Sequence, residues 1–456
     1  MKKPGVTDKM IDIEQDEQVE ILETQRQVEF LEGLEDPERT PSVGRRIPRP
    51  DGLPQVLGEL EYIDDRSFPG MLYAKVLRSS HPHARVVRVD VSKAEAMPGV
   101  MATLTGDEIP VNSFGPTYQD QPILAGDKVR HMGDGVAAVA ATSEQEALDA
   151  LEKIEVEYEA LPAVFDPLEA MKPDAPKIHE PRDNVYVRWR LQKGDVEKAL
   201  AQSYLVLEES YTTQMVEHAS LEPHTAIAVW APGGRLTVWA ALGRITLARA
   251  DLARVLNMPM NKIRVVSTQV GGNFGGKNEI TLEPIVALLA KKAKRPVKGV
   301  YTRKDEFIAS TTRHPFIMDY VTGVSDSGRI LGRKVRFVAD GGAYCSWSET
   351  TVGKAAIMSC GPYQIENLKV EGYAVYTNKT MTGAMRGFGV PQSCFAYESH
   401  MDTIAHRLGI NPLKIRLLNA FDEGAVSPTG QVLQSVAARD TLISAAERFG
   451  WKEWQP

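Results

Sequence analysis

The chain has 456 residues, 43% of them hydrophobic, which suffices for two to four domains with sizeable cores. Its net charge of −7 is concentrated at the start: residues 1–40 hold twelve acids against five bases, and the formally neutral remainder lacks the basic stripe a nucleic-acid partner needs. No apolar run is long enough to span a bilayer, and Met1-Lys2-Lys3 leads into acidic sequence instead of a signal core, so a cytoplasmic protein without a membrane partner is expected.

In chain order, Val19, Leu22, Val28, Leu31 and Leu34 place an interrupted apolar stripe on a helix from about Asp16 to Leu34. This acidic segment is either a solvated tail or an arm for a partner. Pro41 to Pro54 reads as an extended connection. From Gly58 to about Pro162 the pattern is a compact α+β unit. Its strands are expected at Met71–Leu77, Ala84–Val89, Val100–Leu104, Gly135–Ala141 and Ile154–Tyr158. The small-apolar run Gly135–Ala141 predicts a strand buried on both faces, and Ser143 with Glu146 forms a capping box for the helix that follows. The proline-rich stretch to Val185 predicts a domain boundary. Beyond it, strands are expected at Leu205–Thr212, Ala226–Trp230, Leu236–Ala240, Ile263–Val266, Lys298–Thr302, Phe316–Val324 and Lys334–Ala339. Helices are expected at Ile245–Leu256, Glu279–Lys294, Gln392–Leu408 and Ala438–Phe449. Cys345, Cys360 and Cys394 are too few and dispersed for a disulfide framework or an iron–sulfur cluster, and read as small buried hydrophobes.

Two glycine-rich loops stand out. Gly271-Gly272-Asn273-Phe274-Gly275-Gly276-Lys277 satisfies GxxxxGK, the phosphate-cradling pattern, but Asn278 follows where a magnesium-holding Ser or Thr belongs. A P-loop nucleotide site is therefore disfavoured. In Gly383-Ala384-Met385-Arg386-Gly387-Phe388-Gly389, an arginine and a glycine-flanked aromatic precede a helix, which suits an anionic group beside a planar one. His218 and Glu222 have the i,i+4 spacing of metal ligands, but Pro223 breaks the helix that would align them, and loop ordering is the simpler role. Arg313 and His314 suit either phosphate contacts or surface pairing. Asp340, Glu279 and Glu283 are the carboxylates nearest the loops in sequence, and none has the marks of a general base.

These segments resemble the molybdenum-cofactor subunit of the xanthine oxidase family, the molybdenum hydroxylases. The ordered set includes Pro69-Gly70-Met71-Leu72-Tyr73-Ala74, Ser79-Ser80-His81-Pro82-His83-Ala84, His218-Ala219-Ser220-Leu221-Glu222-Pro223, Arg313-His314-Pro315, Asp340-Gly341-Gly342-Ala343-Tyr344 and the two loops. After the acidic extension and linker over residues 1–49, the resemblance implies an α+β protein: an α/β hammerhead domain over 50–185 and the first half of a molybdopterin-binding domain over 186–456. It implies Mo-molybdopterin, a pyranopterin whose dinucleotide form is left open, held by Gly272, Asn273, Phe274, Gly275, Met385 and Arg386, with no residue ligating the metal directly. Phe388 would stack the substrate ring. Lys354 lies where some relatives place a substrate-polarising arginine, and Asn278 where purine-oxidising relatives carry a glutamate.

Two departures qualify the match. Relatives read Ser-Thr-Gln-Asn where this chain has Ala241-Leu242-Gly243-Arg244, so the glutamine that approaches an oxygen ligand of the metal is replaced by Gly243. The family's catalytic glutamate and second set of pterin loops lie beyond the extent matched here, so no catalytic residue is expected in this chain. The arrangement resembles enzymes whose molybdenum subunit is split over two polypeptides, as in bacterial nicotinate dehydrogenase. The expected partners are a second molybdopterin chain carrying the base, an FAD subunit and a 2Fe–2S iron–sulfur subunit. The expected reaction is hydroxylation of a carbon of an N-heteroaromatic or related substrate with oxygen from water; the alternative is a non-catalytic scaffold of the same fold.

Overall fold

The computed structural model describes residues 7–12, by their backbone, and residues 47–451. The helix expected at Asp16–Leu34 lies outside the described residues. In chain order the strands are β1 (Thr7–Asp12), β2 (Leu72–Arg78), β3 (Ala84–Asp90), β4 (Val100–Thr105), β5 (Lys128–Val129), β6 (Gly135–Ala141), β7 (Glu155–Ala160), β8 (Val185–Lys193), β9 (Leu205–Thr212), β10 (Thr225–Ala231), β11 (Arg235–Ala240), β12 (Ile263–Val266), β13 (Val297–Val300), β14 (Phe316–Val324), β15 (Ile330–Gly342) and β16 (Asn367–Tyr376). They form a seven-stranded sheet β12-β11-β10-β13-β2-β6-β4, a six-stranded sheet β1-β8-β16-β15-β14-β9 and a small sheet β5-β3-β7.

β6 shows why its sequence has no polar positions. Ala138 and Ala140 pack in one core with Leu282, Ile285 and Leu289, while Ala137 and Val139 pack in another with Ala94, Ala150 and Ile154. Alternate residues point to opposite faces of a strand, so both faces of β6 are interior. The helix Glu144–Leu151 that follows starts where Ser143 accepts a hydrogen bond from the Glu146 amide, as the capping box predicts. The seven-stranded sheet joins β2, β4 and β6 from the first α+β unit to β10–β13 from beyond residue 185. The parallel pairing of β13 with β2, Val297 opposite Leu72, makes the junction.

The six-stranded sheet packs against the helices Ser348–Met358 and Val390–Leu408. Val352, Ala355 and Ala356 from the first and Ala396, Met401 and Ile404 from the second enter one core with Phe316, Phe337 and Val370 of the sheet. Gly409 ends the longer helix in the left-handed conformation that a C-terminal glycine allows. β14 and β9 span the residues expected of them, whereas β1, β8, β16 and the helix Ser348–Met358 were not anticipated from the sequence. One boundary differs with consequence for the site. The helix expected from Glu279 begins at Glu283, with Pro284 in its first turn. Glu279 to Leu282 are bends and irregular backbone, and the Glu279 carboxyl is buried as acceptor for the Ser346 hydroxyl. Pro284 suits a helix start, where its missing N–H costs nothing. The helix terminus is thereby displaced from the glycine loop.

Candidate cofactor and substrate site

β12 delivers the chain into the Gly271–Asn278 loop. Gly272 and Gly275 have φ of 104° and 111°, and Phe274 between them has φ of 50°, a left-handed conformation uncommon for an aromatic residue. The Asn273 side chain holds this shape: its Oδ1 accepts from the amides of Gly275 (3.0 Å) and Lys277 (3.1 Å). Phe274 is left 46% exposed. The amides of Gly272, Asn273 and Phe274 have no acceptor among the described residues.

The second loop lies directly against the first. Arg386 donates its amide to the Phe274 carbonyl at 2.8 Å. A Cβ on Gly275 would stand 2.4 Å from the Ala384 carbonyl oxygen, so this approach of two backbones requires glycine. Phe388 repeats the geometry of Phe274, with φ of 47° between Gly387 and Gly389, both also at positive φ. Arg313 donates from Nη2 to the Arg386 carbonyl (3.0 Å) and from Nη1 to Gln392 (3.2 Å), so it braces the loop instead of pairing at the surface or standing free for a phosphate. His314 is buried against the Ser348 hydroxyl, and burial pushes its pKa down to about 3.

The residues that suggested other chemistries have structural partners. Lys277 does not point out of a phosphate cradle; it is buried in an ion pair with Glu222 at 2.9 Å, and Glu222 Oε2 also accepts the Gly271 amide at 2.7 Å. His218 donates from Nε2 to the Ala384 carbonyl at 2.8 Å, and burial lowers its pKa. His218 and Glu222 therefore order the two loops from below, and no cluster of three potential His, Cys, Asp or Glu ligands occurs among the described residues. Asp340 accepts from the Thr377 hydroxyl and pairs with Lys379 at 2.8 Å. Glu283 accepts from the Thr281 amide at 2.6 Å, and Glu279 is enclosed, its pKa pushed up to about 7 by burial. None of these carboxylates faces outward as a base.

Gly243 has a physical reason to be glycine. Its amide donates to the Lys277 carbonyl at 2.8 Å, and a Cβ on it would stand 1.9 Å from Asn273 Nδ2 and 3.0 Å from Asn278 Oδ1. The Asn273 amide occupies the room that a side chain at 243 would need. Beside it, Arg244 lies over the Trp347 ring at 4.8 Å, Trp347 meets Phe388 edge to face at 6.3 Å, and Lys354 Nζ sits 5.2 Å from the Phe388 ring centre. The sequence reading missed Trp347 and Arg244 as site residues; their only signal was proximity in sequence to Lys354 and Gly243. Met385, Phe388 and Asn278 are half-buried, while Arg386 and Lys354 are exposed.

Free amides, an exposed guanidinium and two aromatic rings on one wall fit a planar, anionic group such as a pterin phosphate. A concavity of about 410 Å³, lined by Ile245, Arg249 and Arg264 among others, shares no residue with the two loops, and Arg249 is engaged by the Met260 and Ile263 carbonyls.

A family model described as a molybdopterin cofactor-binding domain matches residues 178–420, and one described as the aldehyde oxidase and xanthine dehydrogenase a/b hammerhead domain matches 57–162. A probable xanthine dehydrogenase subunit of Bacillus subtilis is 41% identical over 414 residues, 88% of this chain and 55% of that protein. The nicotinate dehydrogenase large molybdopterin subunit of Eubacterium barkeri is 39% identical over 408 residues, 89% of this chain and 96% of that one. The structure of the aldehyde oxidoreductase from Desulfovibrio gigas superposes with a TM-score of 0.86 at 29% identity, over 89% of this chain and 46% of the other. The chain thus spans 55% and 46% of the first and last of these, and nearly all of the large nicotinate dehydrogenase subunit. It belongs to the aldehyde oxidase and xanthine dehydrogenase family and carries that family's molybdopterin cofactor-binding domain.

Proposed function

We propose that this chain is one of two molybdopterin-binding chains of a multi-subunit hydroxylase. The enzyme would act on a carbon of an N-heteroaromatic, nicotinate- or purine-like ring with water as oxygen source. The split is supported by the 96% coverage of a relative that is itself called a large molybdopterin subunit. In this reading residues 50–185 serve as the hammerhead domain and 186–456 as the N-terminal half of the molybdopterin-binding domain. The second molybdopterin chain brings the general base. An FAD subunit and a 2Fe–2S subunit take the electrons away, and the complex works in the cytoplasm; among the described residues no helix is long and apolar enough to cross a membrane.

The observation that carries the reading is the joined pair of loops, with three unengaged amides beside exposed Phe274 and Arg386. When bound, molybdopterin would supply the two-electron redox chemistry and the activation of water. The chain's own residues do the rest. The Gly272 and Phe274 amides and the Arg386 guanidinium bind the anionic parts of the cofactor, and Gly275 lets the two loops close on each other. Asn273 fixes the loop, Met385 lines it, Phe388 stacks the substrate ring, Lys354 polarises it, and Asn278 offers its amide at the rim.

Co-expression with the products of neighbouring genes, followed by molybdenum and pterin analysis and an assay on N-heteroaromatic rings, tests this. Stoichiometric molybdenum and hydroxylation are expected, with cofactor content falling in Arg386→Ala. A metal-free, inactive complex would instead mark the chain as a scaffold of the same fold.

A further inference from the structure

Arg244, Trp347, Phe388 and Lys354 form a row in which cation, ring, ring and cation alternate. The two rings meet edge to face at 6.3 Å and make a corner. Arg244 lies 4.8 Å above one ring and Lys354 5.2 Å from the centre of the other. Contact with an aromatic face holds a long cationic side chain in place without neutralising it. Neither cation has a carboxylate partner or a hydrogen bond among the described residues, and both stand exposed. The indole N–H of Trp347, enclosed in the same corner, has no acceptor among the described residues either. The acids beside the glycine loop are turned inward: Glu279 is committed to Ser346, and Glu222 to Lys277 and Gly271. The corner adjoins the cofactor loops on two sides, through Gly243 beside Asn273 and through Phe388, two residues from Arg386.

We infer that this corner selects an anionic planar substrate, an N-heteroaromatic carboxylate, whose ring packs on Phe388 and Trp347, beside Lys354, while its carboxylate is met by Arg244. The inference rests on the hydroxylase reading and narrows it. A ring carrying a neutral amide in place of the carboxylate keeps the stacking and loses the charge-assisted contact to Arg244. Arg244, next to Gly243, becomes a specificity residue, and Trp347 the surface that aims it.

The test uses the purified multi-subunit complex with a matched pair of rings, nicotinate and nicotinamide, and two measurements. Calorimetric binding of each ring is read on wild type, Arg244→Gln, Arg244→Lys and Lys354→Gln, and turnover is read as KM and kcat separately. The anion is expected to bind more tightly than the amide. Arg244→Gln should weaken nicotinate on the order of tenfold, the equivalent of about 1.4 kcal/mol, through KM and not kcat, while leaving the amide nearly unchanged; Lys354→Gln, at the residue that polarises the ring, should instead lower kcat on both rings. Arg244→Lys should restore part of the loss. Equal affinity for the two rings, or an Arg244→Gln change that weakens both alike, overturns the inference while leaving the hydroxylase reading intact. A complex without molybdenum and without turnover of any ring overturns the hydroxylase reading, and the binding measurements still decide the anion preference on their own.

Discussion

Lys277→Met separates a structural lysine from a phosphate-binding one. In the structure the lysine ammonium is 2.9 Å from Glu222 Oε2, and the two side chains are 1% and 9% exposed. Removing the cation leaves Glu222 with the Gly271 amide as its remaining donor at Oε2 and with an Oε1 that already lacks a partner. Breaking one side of a buried pair costs about 3–5 kcal/mol because the surviving charge stays out of water. With an unfolding entropy of about 2.1 cal/mol/K per residue, that loss lowers the Tm of a chain this size by roughly 3–5 °C. The double variant Lys277→Met/Glu222→Gln removes the orphaned charge and keeps an acceptor for Gly271, so it should recover most of the loss. Differential scanning calorimetry of wild type, these two variants and the single variant Glu222→Gln gives the coupling directly. Mg-ATP should leave the wild-type Tm unchanged, since a ligand raises Tm only by binding the folded state. A Lys277→Met penalty below about 1 kcal/mol, the range of an exposed pair, or an ATP-dependent rise in Tm that Lys277→Met abolishes, would refute the assignment.

Other expectations follow from the same geometry. Gly243→Gln should destabilise by about 1–3 kcal/mol, as overpacking does, because its Cβ would meet Asn273 Nδ2 at 1.9 Å; adding Asn273→Gly should relieve it, and a chemical-denaturation cycle showing simple additivity would contradict the shared-space account. Glu279, whose pKa burial lifts from 4.5 to about 7, binds more protons folded than unfolded between those values. Its contribution to stability is therefore full below about pH 4.5, declines as pH rises to about 7 and is flat above. Glu279→Gln should flatten that part of the Tm–pH curve, and an unchanged slope would count against it. Arg313→Ala removes the 3.0 Å tie to the Arg386 carbonyl and should speed tryptic cleavage after Arg386 several-fold, read by mass spectrometry; cleavage at the wild-type rate would mean that the loop does not depend on this brace.

Much of the scaffold was legible because burial imposes a period. β9 alternates along its length and β14 from Phe316 to Thr322, and β6 shows the unbroken apolar run of a strand enclosed on both faces. β16 alternates as well, with Leu368 and Val370 buried between half-buried lysine and glutamate neighbours, so the sequence carries a signal for it too. The site was legible in its glycines, which mark where two backbones touch or turn left-handed. The role of Lys277 was not legible because its partner Glu222 lies 55 residues away in sequence and a local motif cannot show which charge a lysine answers. The mutual exclusion of a side chain at 243 and an amide at 273 is likewise a tertiary fact, invisible until the two segments are set side by side.

The two loops bear a strain that the remainder of the chain must offset. Phe274 and Phe388, at φ of 50° and 47°, each occupy a conformation that costs on the order of 1–3 kcal/mol for a residue with a side chain. Such backbone persists only where its surroundings determine it from several directions, and here they do. Asn273 ties two amides of the first loop, Glu222 a third, His218 the Ala384 carbonyl, and Arg313 the Arg386 carbonyl, while the Arg386 amide joins the loops to each other. Each of these anchors belongs to this chain. The wall that presents both rings, the free amides and Arg386 is therefore organised before any cofactor or partner arrives, so binding need not supply the ordering free energy of these loops. On the proposed split, a second chain would have only to close an already formed surface.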